Sequence, residues 1–80
     1  MKHYYAVEIS TPDDDVYSRN FPYSFEDANK LFESIELSDS KVPRVSLYHV
    51  VNHVCFELRR KETEAWKRSV ELAKEELTNV

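Results

Sequence analysis

The chain has 80 residues, and none of them is glycine; there are three prolines and one cysteine. Glycine is the residue that enters left-handed backbone regions without steric cost, so every tight turn here must be made by Asn, Asp, Ser or Pro. The same absence excludes a glycine-rich phosphate cradle of either the dinucleotide-binding or the P-loop type. Cys55, the single cysteine, cannot close an internal disulfide. No apolar stretch of the secretory kind follows Met1, and the expected compartment is therefore the reducing cytoplasm. No apolar run approaches the roughly 20 residues needed to cross a bilayer, so no membrane association is expected.

What is present reads as an ordered globular chain. Apolar residues make up 41%, charged residues 32% and aromatic residues 12%, with five Tyr, four Phe and one Trp. An aromatic content of this size is foreign to disordered segments. The length allows one domain, over residues 1–80. A domain this small buries only about 60% of the surface its unfolded chain exposes, so its stability margin is thin.

The net charge of −4 is unevenly distributed. Residues 1–40 carry nine acids and three bases, residues 41–68 seven bases and three acids, and residues 69–80 three acids and one base. An acidic first half argues against general binding to a phosphate backbone. Faces of opposite sign would steer a partner or favour self-association.

The spacing of apolar residues predicts six elements. Lys2 to Ser10 alternates as a strand, with Tyr5, Val7 and Ile9 on the core side and Tyr4 on the other. Pro12 and the run Asp13-Asp14-Asp15 make a solvated turn. Val16 to Phe21 is a second strand, antiparallel to the first and stopped by Pro22. Ser24 opens a helix with a capping-box-like start, and Glu26 and Asp27 suit the positive end of its dipole. Phe25, Ala28, Leu31, Phe32 and Ile35 form its apolar face, and Ser38-Asp39-Ser40 should stop it near Leu37.

Val42 to Arg60 carries the densest β-branched and aromatic run, and reads as a hairpin at the centre of the sheet. Val45, Leu47 and His49 should share a face with Phe56 and Leu58, leaving Cys55, Glu57 and Arg59 on the reverse. Asn52 supplies the left-handed turn residue. Glu62 to Thr78 is the last helix, with Trp66, Val70, Ala73 and Leu77 as a buried stripe and Leu72 off it. The expected fold is α+β, order ββαββα: a four-stranded antiparallel sheet with two helices on one face.

Groups that carry chemistry are sparse. His49, His53 and Cys55, with His3 more distant, have ligand-like spacing for zinc. His49 and His53 flank a turn, however, and no fourth ligand stands out. No metal, cofactor or catalytic residue is expected, and the chain is read as a non-enzyme.

Interaction is the better expectation. Asp13, Asp14, Asp15, Glu26, Asp27 and Glu33 offer an acidic surface that could occupy a basic groove on a protein partner. Small acidic inhibitors carried by phages and plasmids work in this manner, which is an analogy of size and charge. Tyr4 and Tyr48 on the uncovered sheet face, or Leu72 on the last helix, offer an apolar alternative, including a homodimer. The competing expectation is a nucleic-acid-binding accessory protein using Arg44, Arg59, Arg60 and Lys61.

Overall fold

The computed structural model describes residues 3–22 and 24–78. Lys2, expected to open the first strand, lies outside the described residues. The elements are β1 (His3–Ser10), β2 (Val16–Phe21), α1 (Phe25–Ser34), β3 (Arg44–Val51), β4 (Val54–Glu62) and α2 (Glu64–Thr78). The order ββαββα and the α+β class are as expected. The four strands form one antiparallel sheet in the order β2-β1-β3-β4. Only half of the Val42–Arg60 hairpin is central, because β4 is an edge strand.

The turns show how a chain without glycine reverses. Asp14, Asn52 and His53 have φ of 65°, 49° and 71°. Asn52 and His53 form the two-residue turn between β3 and β4, and both take the positive φ that a tight hairpin requires. Thr11 closes the β1–β2 turn: its amide donates to the Asp15 carbonyl at 2.9 Å, and its Oγ1 accepts from the Asp15 amide at 3.1 Å.

The core lies between α1 and one sheet face. Ala28 and Phe32 of α1 meet Val7, Val45 and Leu47, with Tyr5, Ile9, Phe21, Leu31 and Ile35 packed around them. Ser24 caps the helix as expected, its Oγ accepting from the Asp27 amide at 3.1 Å. The helix ends at Ser34 rather than near Leu37. Ser34 Oγ donates to the Leu31 carbonyl at 2.8 Å, and Ile35 turns extended at ψ 121°. A serine hydroxyl competing for a helix carbonyl favours such an ending.

Two expectations are corrected. The register of β3 against β4 shifts between Leu47 and Tyr48, with Leu47 opposite Arg59 and Tyr48 opposite Glu57. Leu58 is thus an extra residue, and the bulge turns Arg59 onto the α1 face instead of leaving it beside Cys55 and Glu57. The second correction concerns α2. It does not lie with α1 on the sheet, and its expected stripe is not buried: none of its described residues is buried. A single residue, Thr63, separates β4 from α2. That connection sends the helix off the end of the sheet, and the molecule is elongated at 42 × 27 × 18 Å.

Candidate functional site

On the α1 face, β4 contributes cations where the packed core stops. The Arg59 guanidinium lies 4.7 Å from the Phe32 ring centroid and Lys61 Nζ lies 5.0 Å from it. Arg59 also donates to Asn29 at 2.7 Å and pairs with Glu33 at 2.9 Å. Lys61 donates to the Ile35 carbonyl beyond the end of α1. Burial holds the Lys61 ammonium below the ordinary lysine range, and the adjacent Arg59 pushes the same way. These two side chains seal α1 against the sheet, so their charge is already in use.

The reverse face of the sheet has no helix on it, yet Ala6, Ser10, Ser46 and Val50 are buried there. Long side chains do the covering. Arg44 donates to Ser10 Oγ at 3.0 Å and to Tyr48 OH at 2.8 Å, and lies 3.6 Å from Glu8 and 3.8 Å from Glu57. Glu57 also accepts from Ser46 Oγ at 3.3 Å and from Arg60 at 3.1 and 2.9 Å. The hydrogen bond to Glu57 raises the Arg60 pKa further above its ordinary value. Tyr4, Tyr48 and Cys55 lie on this face as expected, since Tyr4 and Cys55 both pair with Val50 and Tyr48 pairs with Ala6.

The four basic residues considered for nucleic acid are therefore divided. Arg59 and Lys61 stand on the α1 face, and Arg44 and Arg60 on the reverse. Each is paired with a carboxylate or a carbonyl. The acidic residues divide as well. Asp13, Asp14 and Asp15 turn at the end of the sheet where β3 begins, whereas Glu26 and Asp27 open α1 at the opposite end. Glu33 is taken up by Arg59. What the fold does bring together is an acidic end: Asp14 and Asp39 line a shallow cavity of about 310 Å³ with Pro12, Pro43 and Trp66.

Histidines and cysteine do not converge. His49 Nε2 and His3 Nδ1 are 3.3 Å apart, and the His49 ring stacks on Tyr5 at 4.6 Å. His53 sits in the turn, and Cys55 lies on the reverse face. Among the described residues no three metal-binding side chains are grouped.

Apolar side chains of α2 and β4 are open to solvent. On α2, Val70, Leu72 and Leu77 are 38, 59 and 79% exposed. On β4, Val54, Phe56 and Leu58 are 52, 53 and 46% exposed. Val54 and Phe56 pair with Val51 and His49, which places them on the α1 face beyond the reach of α1. Alternation expects Phe56 and Leu58 on the core face and Leu72 off the α2 stripe, whereas the structure leaves all three open. The edge position of β4 was the missing information.

The fold and these surfaces define a small α+β domain with a seated helix and an unseated one. No family model matches the chain, and neither a curated protein nor a solved structure matches it. Among the described residues, no helix is long and apolar enough to cross a membrane.

Proposed function

We propose that the protein is a non-enzymatic protein-interaction module, regulatory or inhibitory in role, acting in the cytoplasm by covering the surface of a protein partner. The observation that carries this reading is α2, a 15-residue helix with an apolar stripe and no buried residue among those described. A helix of this length is marginal in water without tertiary packing. An apolar face of this kind gains stability when another protein surface covers it. Self-association belongs to the same reading. So does recognition of a basic groove by the acidic end, Asp13 to Asp15, as in the small phage and plasmid inhibitors.

The alternative of a nucleic-acid-binding accessory protein has less support, because Arg44, Arg59, Arg60 and Lys61 are paired within the chain and lie on two faces. It predicts retention on nucleic acid that falls steeply with salt.

Retention from a cell extract tests the reading with three baits: the wild type, Val70→Glu with Leu77→Glu, and Asp13→Asn with Asp14→Asn and Asp15→Asn. The expected result is a protein held by the wild type and lost by one of the two variants, both of which still unfold in a single cooperative melt. If all three baits hold the same proteins equally well, neither surface is an interaction site.

A further inference from the structure

We infer that the occupant of the open apolar surface is a second copy of this chain, with α2 of each copy seated on the β4 half of the other's sheet. The inference rests on the interaction reading and names the partner for its apolar part.

The chain carries both halves of a missing layer. One sheet face is covered by α1 over β1, β2 and β3, while Val54 and Phe56 of β4 are left bare on the same face. The helix that would complete this layer is present in the chain and cannot reach it. Thr63 is tied at both ends: its amide donates to the Pro43 carbonyl at 2.9 Å, and its Oγ1 and carbonyl accept from Trp66 and Lys67 at 3.2 and 3.1 Å. Trp66 then lines the cavity with Pro12 and Pro43 at the end of the sheet. These ties aim α2 away from its own β4. A two-fold exchange gives each bare half-sheet the helix of the other copy, and it closes without leaving an open end.

The exposed area agrees with this occupant. A large apolar side chain offers on the order of 200 Å² when fully open. At their observed exposures, Val54, Phe56, Val70 and Leu77 leave roughly 440 Å² per chain. Two copies offer roughly 900 Å² from these eight side chains, close to the roughly 1,000 Å² that a specific interface must clear, and the polar rim adds to it. Leu72, off the stripe, is not counted. Pairing of β4 with β4 along the sheet edge is the less favourable arrangement. The bulge at Leu58 and the run Arg59-Arg60-Lys61 are devices that disfavour edge pairing.

Light scattering on the purified wild type is the first measurement, over a range of concentrations. The expected mass is about 19 kDa, twice the 9.5 kDa of the chain, and Val70→Glu with Leu77→Glu should return it to 9.5 kDa while keeping the sheet signal in circular dichroism. A wild-type monomer at every concentration overturns the inference, as does a dimer that this variant does not weaken. Cross-linking then fixes the arrangement in a Cys55→Ser background. Phe56→Cys and Val70→Cys proteins, mixed and oxidised, should form a disulfide dimer at least tenfold faster than either does alone. Equally fast linking of Phe56→Cys alone points to edge pairing and overturns the exchange; equally fast linking of Val70→Cys alone points to helix pairing and does the same. Because only purified chain is used, failure here leaves the extract experiment to judge the broader reading, and a dimer with no retained protein would separate the two in the other direction.

Discussion

In α1, Ala28 and Phe32 stand at helical spacing and are closed off from solvent; in α2, Val70 and Leu77 stand at a comparable spacing and remain open. The residues of the two stripes do not explain the difference. The connections do. Nine residues, 35–43, follow α1 and let the chain return to the sheet as β3, whereas Thr63 alone precedes α2. An apolar stripe states that a helix needs a covering surface. It does not state that its own chain supplies one, and the length of the adjoining loop decides which surfaces lie within reach.

The largest expected effect tests this contrast directly. Phe32→Ala removes a ring that is 3% exposed and carries both Arg59 and Lys61 on its face. It should lower stability by about 3–5 kcal/mol, enough to unfold much of so small a domain. Leu77→Ala, at a site 79% exposed, should shift the stability of the dilute chain by less than about 0.5 kcal/mol. Urea melts of both variants at low concentration make the comparison. Equal losses would mean that α2 is seated after all, and the contrast between the helices would be gone. Repeating the Leu77→Ala melt at high concentration sharpens it, because a shared interface makes the loss grow with concentration.

Much of this architecture is legible in the sequence. Period-two alternation locates β1 and places Tyr5, Val7 and Ile9 inward; Ser24 marks the start of α1; Asn52 marks the hairpin turn. Three things are not legible, each for a physical reason. A bulge adds one residue without changing composition, so Leu58 and Arg59 exchange faces relative to simple alternation. Strand order depends on long-range pairing, so nothing local distinguishes a central β4 from an edge one. Surface patches depend on which ends of the strands meet. Asp13 to Asp15 and Glu26 with Asp27 are close in sequence yet lie at opposite ends of the sheet, while Asp39 joins Asp14 beside Trp66. The pairing of the two tyrosine positions with the reverse face was accessible from alternation, but the Arg44 network that covers it was not.

That network offers a second, smaller way to probe the contrast. The reverse face resembles the α2 surface in lacking a covering helix, but it is closed by polar side chains of its own. Arg44 is the hub, with its side chain 13% exposed and four partners in Glu8, Ser10, Tyr48 and Glu57. Arg44→Met keeps most of the apolar stem and removes the donors. The expected loss is about 1–3 kcal/mol, chiefly from two carboxylates and two hydroxyls that lose this donor. A double-mutant cycle with Glu57→Gln should show strong coupling. If Arg44→Met melts like the wild type, the reverse face is no more self-sufficient than α2, and it becomes a second candidate for a covering partner.

The smallest effect lies at the border between the two regions, at Lys61. Burial, with Arg59 adding to it, sets its folded pKa below the ordinary lysine value. A base shifted down binds fewer protons folded than unfolded in the interval between the two values, so stability rises with pH across that interval. Below the interval the ammonium is charged in both states and the folded chain carries the full desolvation cost. As the pH climbs through the folded pKa towards the unfolded value of about 10.4, that cost is relieved. Lys61→Met removes the titration while keeping the stem on Phe32. The melting temperature of the wild type relative to Lys61→Met should therefore rise with pH as the unfolded lysine value of about 10.4 is approached from below. Parallel pH curves for the two proteins would show that Lys61 is as solvated as an ordinary surface lysine, and that the seam between α1 and β4 is open. If a second copy seats its α2 against this half of the sheet, Lys61 is buried further. The rise should then be steeper at concentrations where the dimer forms than at those where it does not.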